Sequence, residues 1–190
     1  MFNIRVLCLS SALFLALTPA MAGEITDAGA AAEQAVTDSN YEDAFKSIEA
    51  AKDSIWEQSP LALHNINFTV GEPAGYGIYE VRPSNEFKSG ETLVVYTEPQ
   101  GYGFGQDGDF YIMDMALDFE VKDASGASLA KQENFASWTL RSRYPNKEFM
   151  GKLTYDFKGI VPGDYELSTT VRDKNSEKTA SFSLKFKITP

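Results

Sequence analysis

Gly163-Asp164-Tyr165-Glu166-Leu167-Ser168-Thr169-Thr170-Val171-Arg172 is the stretch that decides the fold. Tyr165, Leu167, Thr169 and Val171 alternate with Glu166, Ser168, Thr170 and Arg172, so an extended chain here has one apolar and one polar face. Residues 173–178 form a polar run suited to a hairpin loop. Beyond it, Phe182, Leu184, Phe186 and Ile188 alternate with Ser181, Ser183, Lys185 and Lys187. Upstream, Gly159-Ile160-Val161-Pro162-Gly163-Asp164 turns the chain into the first of these strands.

The same period extends toward the N-terminus as far as Leu61. Residues 76–82, 92–98 and 110–123 each read as strands. In the third, Tyr111, Met113, Met115, Leu117, Phe119 and Val121 share one face, and Asp114, Asp118, Glu120 and Lys122 share the other. Residues 123–126 carry a turn signal, and β-like segments follow at 127–131, 135–141 and 148–157. Strands with turn signals and no intervening helix predict an antiparallel sandwich or barrel over residues 61–190.

Residues 23–60 have a helical pattern. Alanine and acidic residues dominate 24–38, and Ser39-Asn40-Tyr41-Glu42 reads as a capping box with Ser39 as N-cap. Tyr41, Phe45, Ile48, Ala51 and Ile55 then recur at helical spacing, until Ser59-Pro60 ends the helix. The stripe either packs within the protein or meets a partner.

Residues 1–22 have the form of a secretory signal peptide. Arg5 precedes an apolar run from Val6 to Leu17, and Ala20-Met21-Ala22 offers a cleavage site after Ala22. The run is shorter than the roughly 20 residues of a spanning helix. Cys8, the only cysteine, lies inside this run rather than at its end, which argues against lipoprotein anchoring. Removing 22 of the 190 residues leaves 168 without cysteine, in keeping with a bacterial periplasmic or secreted protein. The full chain has a formal charge of −10, and loss of Arg5 makes it −11, a balance that phosphate backbones and anionic lipid surfaces repel. Nucleic-acid binding is therefore not expected, and neither is a membrane span.

Val161-Pro162-Gly163-Asp164-Tyr165-Glu166-Leu167, with Val171-Arg172-Asp173 after it, resembles the end of immunoglobulin-like and fibronectin type III-like bacterial domains. The resemblance covers roughly the last 35 residues and implies that Tyr165 makes a corner hydrogen bond to nearby backbone. It implies an antiparallel immunoglobulin-like β-sandwich, here preceded by a short α-helical N-terminal segment. The mature chain also resembles small uncharacterised exported proteins of proteobacteria. In such a topology the 110–123 strand neighbours the one carrying Arg172, which pairs with the one carrying Lys185 and Lys187. Asp118 and Glu120 would then face cations across the sheet.

Catalytic chemistry has little to work with. His64 is the only histidine, no Gly-x-Ser-x-Gly motif is present, and zinc-type ligands are too few. Asp107, Asp109, Asp114 and Asp118 read as a solvated loop and strand face. The alternatives are an incomplete calcium loop or a hydrolase's carboxylates. No cofactor and no metal are expected.

Two Gly-Tyr-Gly triplets, Gly75-Tyr76-Gly77 and Gly101-Tyr102-Gly103, supply the aromatic candidates Tyr76 and Tyr102, with Phe104, Phe110 and Tyr111 following. Such rings either cap the sandwich or form a recognition surface. Arg141 and Arg143, with Lys147 and Lys152, make the densest basic segment. The expectation is a non-enzymatic periplasmic or secreted accessory protein that binds an envelope protein, in envelope sensing or exopolysaccharide assembly. The alternative partner is polysaccharide, held by a carbohydrate-binding module that stacks it on Tyr76, Tyr102, Phe104 and Tyr111.

Overall fold

The computed structural model describes residues 20–190. The expected signal peptide lies outside the described residues, except that its last three positions begin the first helix. Among the described residues two helices, α1 (Ala20–Thr37) and α2 (Tyr41–Gln58), precede nine strands, and the protein is mainly β. The chain divides into two compact units, Met1–Ser54 and Ile55–Pro190. The last turn of α2 thus belongs with the sheets.

In the first unit the helix junction sits one residue from its expected place. Ser39 does not cap α2; it ends α1 in the left-handed region, at φ 58°. The Ser39 and Asn40 amides donate back to Val36 O and Ala35 O, at 3.0 and 2.8 Å, the paired bonds of a Schellman ending. Asn40 is the N-cap, its Oδ1 accepting the Asp43 amide at 3.3 Å. The stop at Ser59-Pro60 is as the sequence predicts.

The second unit holds two sheets. One has the order β1 (Ala62–Phe68), β3 (Leu93–Gln100), β7 (Gly151–Tyr155). The other runs β2 (Glu86–Lys88), β9 (Thr179–Thr189), β8 (Gly163–Asp173), β5 (Phe110–Asp123). On the far side of β5 lies β6 (Ser128–Ser142), while β4 (Gly105–Asp107) pairs with the first residues of β5. The pairings are antiparallel except that of β2, which runs parallel to β9.

Alternation places the core. Met113, Met115, Leu117 and Val121 of β5, Leu167 and Val171 of β8, and Phe186 and Ile188 of β9 are buried. They share one cluster with Phe68, Val95 and Leu153 of the smaller sheet. Tyr165 donates its hydroxyl to Val161 O at 2.7 Å, closing the expected corner. On the outer face Arg172 grips Asp118, the cross-strand pairing expected from the charges, whereas Glu120 takes Lys122 of its own strand at 3.3 Å.

Two strand expectations change. Residues 127–131 and 135–141 form the single strand β6, which carries Asn134 in the left-handed region at φ 52°. Residues 76–82 form no ladder. Only the bridges Thr69↔Val81 and Gly75↔Ile78 occur there. This arm lies against β3 instead, with Tyr79 stacked on Tyr96 at 3.8 Å between ring centroids. The arm explains why consecutive residues Leu93 to Thr97 are all buried, a pattern that simple alternation does not give.

Candidate functional site

The two Gly-Tyr-Gly triplets have opposite roles. In the second, Tyr102 is 1% exposed and offers no ring face to solvent, which corrects its expected place on a recognition surface. Trp56, from the last turn of α2, meets its ring edge-on at 4.9 Å and donates its indole N–H to Tyr102 O at 2.7 Å. The Tyr102 hydroxyl donates to Asn146 O at 2.6 Å, and burial pushes its pKa well above the usual tyrosine range. Phe104, half-buried, continues the aromatic chain from Tyr102 to Tyr111, with ring centroids 5.3 and 6.2 Å apart.

The glycines on either side are there because nothing larger fits. Gly101 has φ +79°, and a Cβ there would sit 2.4 Å from Pro60 O. At Gly103 a Cβ would meet Ser176 Cβ at 2.9 Å. The buried Asp173 carboxylate accepts the Gly103 amide at 2.6 Å and the Asn175 amide at 2.9 Å, and also the Ser176 hydroxyl. Lys178 closes the assembly. Its ammonium donates to Glu57 O, Ser59 O and Gly101 O at 3.1, 2.7 and 2.8 Å, placing a cation at the C-terminal end of α2.

Phe110, Arg141 and Arg143 come together elsewhere. The guanidinium carbons lie 3.2 and 4.8 Å from the Phe110 ring centroid. Arg141 also donates to Asp107 Oδ2 at 3.3 Å. Asp114 pairs with Lys174 at 3.0 Å and Asp118 with Arg172 at 2.9 Å. The acidic residues 107, 114 and 118 are thus divided among three different cations.

The first triplet displays its tyrosine. The Ile78 amide donates to Gly75 O at 2.9 Å, and Gly77 takes φ +70° at the third position of that turn, as a type II turn requires. The Gly77 amide donates to the Tyr96 hydroxyl at 2.7 Å, tying the turn to β3. Tyr76 therefore stands 44% exposed at the edge of a polar recess of about 310 Å³. Trp56, His64, Asn65, Glu98 and Lys147 also line it.

Glu98 is the centre of this recess. Its two carboxylate oxygens accept the Tyr96 hydroxyl at 2.6 Å and the Asn65 side-chain amide at 2.7 Å. Burial and the neighbouring Glu98 carboxylate push the Tyr96 pKa up to about 12. The Tyr76 pKa is also raised, by burial and then by Glu98 and Glu148. Asn65 stands at a bulge in β1, between His64 and Asn67, with φ 52°. The extra residue turns its side chain toward Glu98. Sequence reasoning singled out Tyr76 and His64 separately and missed Trp56, Asn65 and Glu98. Its only local signals were the Gly-Tyr-Gly turn and a polar His64-Asn65 pair inside a strand.

In the first unit the apolar stripe of α2 is open. Tyr41 and Ile48 are exposed, and Phe45 is 74% exposed. Ala32 and Ala44 are buried in the hairpin, and Gly29, Val36, Tyr41, Phe45 and Ile48 border a groove of about 690 Å³.

No protein-family model and no curated protein matches the chain. Several solved structures share a distant likeness. The Pseudomonas fluorescens alkylpurine DNA glycosylase AlkC bound to DNA aligns at 11% identity and a TM-score of 0.38, over 79% of this chain and 39% of its own. The chain thus spans about two fifths of that enzyme's length. The CARDB domain of the PF1109 protein from Pyrococcus furiosus aligns at 10% identity and a TM-score of 0.33, over 69% and 90% of the two chains. The PmoD soluble domain from Methylocystis aligns at 11% identity and a TM-score of 0.31, over 70% and 98%. Likeness at this level carries neither ligand nor activity across.

Proposed function

We propose that this is a non-enzymatic accessory protein of the bacterial envelope, exported to the periplasm or beyond, which binds a protein partner through its helical hairpin. The exposed Phe45 ring, flanked by Tyr41 and Ile48 along an open groove, is the observation that carries this reading. Apolar area left in water forgoes about 25 cal/mol per Å², and contiguous apolar patches of this kind mark interaction sites. Residues 23–58 hold nine Asp or Glu against two Lys. The partner segment that fits is therefore an amphipathic helix with basic residues beside its apolar stripe. Envelope sensing and exopolysaccharide assembly are roles in which such an accessory would serve.

The order of the larger sheet, with β2 parallel to β9 and β8 between β9 and β5, supports reading the second unit as an immunoglobulin-like sandwich. A sandwich of that kind is a scaffold compatible with many roles, so the partner reading rests on the hairpin.

The test is photo-crosslinking in cells from a reactive residue at position 45. A discrete protein adduct that disappears with Ile48→Asp supports the proposal. Absence of any adduct, with the protein present at its normal level, overturns it.

A further inference from the structure

We propose that the recess lined by Trp56, His64, Asn65, Tyr76, Glu98 and Lys147 binds a small, neutral, hydroxyl-rich ligand, such as one sugar unit of a glycan. This site lies within residues 55–190 and does not depend on the hairpin reading.

Size is the first argument. At about 310 Å³ the recess stands at the lower end of ligand clefts, which run from about 300 to 1,000 Å³. It suits one ring rather than an extended chain.

Charge is the second. Glu98 and Lys147 both border the space, with Glu148 close enough to act on Tyr76. A free anion would be repelled by the two carboxylates, and the ammonium at the border weakens their net attraction for a free cation. A neutral ligand meets neither repulsion. It must still satisfy donors and acceptors together, and a hydroxyl does so because it donates one hydrogen bond and accepts two. Glu98 has bonds from Tyr96 and Asn65, one on each oxygen, and an ionised carboxylate has about four acceptor sites. About two therefore remain for vicinal hydroxyls.

Construction is the third. Asn65 holds a backbone conformation that non-glycine residues seldom adopt, and the bulge that imposes it turns the side chain onto Glu98. Gly77 anchors the opposite rim to Tyr96, and Tyr96 in turn donates to Glu98. One short chain of hydrogen bonds thus fixes the carboxylate and the displayed Tyr76 ring relative to each other. That ring gives a flat apolar surface for the C–H face of a sugar, beside polar groups for its edge. The carbohydrate platform expected from sequence included Tyr102, which is buried; the recess keeps only Tyr76 of that set.

Heteronuclear NMR titration of the purified protein with glucose, galactose and N-acetylglucosamine tests the site, with glycine and inorganic phosphate as charged probes. The expected result is a saturable shift of the Trp56 indole, Asn65 and Gly77 signals with at least one sugar. Glu98→Gln, which preserves shape, and Tyr76→Ala, at an exposed ring, should each weaken binding about tenfold, the loss of one charge-assisted hydrogen bond or one stacking face. No saturable shift with any of the three sugars overturns the proposal. A response to glycine or phosphate alone also overturns it, in favour of a charged ligand. Unchanged sugar affinity in both variants removes the ligand from this recess.

Discussion

Arg172 holds Asp118 across the β5–β8 pair with a two-pronged grip, Nε and Nη2 each donating to one carboxylate oxygen at 2.9 Å. The two are diagonal rather than opposite, since Arg172 faces Ala116 in the register and Asp118 faces Thr170. The Asn134 amide donates to the same carboxylate at 2.7 Å, and Arg172 donates to the Asn134 side chain at 2.8 Å. The pair thereby pins the left-handed residue of β6.

The Arg172 guanidinium, and then the Asn134 amide, hold the Asp118 carboxyl below the usual carboxylate range. A lowered folded-state pKa gives stability that is present above the ordinary Asp value of about 3.9 and is lost as pH falls through the folded value. Asp118→Asn should lower stability by about 1 kcal/mol at neutral pH, since partly exposed pairs contribute little more. Urea midpoints of the two proteins, compared from neutral to acid pH, should converge below that value. A difference that persists unchanged in strong acid would refute the assignment.

Gly101→Ala should destabilise by about 3 kcal/mol, combining a left-handed backbone with a Cβ forced against Pro60 O. Gly126→Asn is the control. Its φ of +86° is also left-handed, but a Cβ there meets nothing within 4 Å and asparagine tolerates the region. Thermal melting should separate them by about 6–12 °C.

Lys178→Met removes the cation from three carbonyls while keeping most of the stem. The expected cost is about 2 kcal/mol, the scale of charged hydrogen bonds lost without replacement. The indole of Trp56 should become more solvated, seen as a red-shifted emission. An unshifted spectrum at full stability would mean that the ammonium is dispensable.

With its pKa pushed up to about 12, Tyr96 should stay neutral while exposed tyrosines ionise. Its contribution to stability is fully present below the ordinary value of about 10 and is lost as pH rises toward 12. Spectrophotometric titration of wild type against Tyr96→Phe should show the missing ionisation at the alkaline end. A lost step near the ordinary value would contradict the burial argument.

Periodicity made β5, β8 and β9 legible because each has one wet face, so the period of two survives in the residue types. Residues 76–82 carry a similar pattern but lie as an arm over β3, where bonding partners rather than alternation decide. Ser39 and Asn40 are both good capping residues, and only the Schellman bonds decide which ends one helix and which begins the next. The two Gly-Tyr-Gly triplets are identical as text. What separates them is the material from Pro60 and Ser176 packed against the second, and nothing within either triplet encodes that. The recess was illegible for a similar reason: positions 56, 65, 76, 98 and 147 meet only after β1, β3 and the arm have assembled.

The parallel pairing of β2 with β9 sets an order of events for a chain that emerges N-terminus first. Glu86, Phe87 and Lys88 find their ladder partners only far downstream, at Lys187, Ile188 and Thr189. Asp173 and Lys178, which seat the Gly101–Gly105 segment, arrive almost as late. The sheet of β1, β3 and β7 can pair within itself, but the larger sheet cannot take up β2 until β9 has been made. A chain cut ahead of Lys187 would leave Phe87 without its ladder partner while β8 kept most of its pairing with β9.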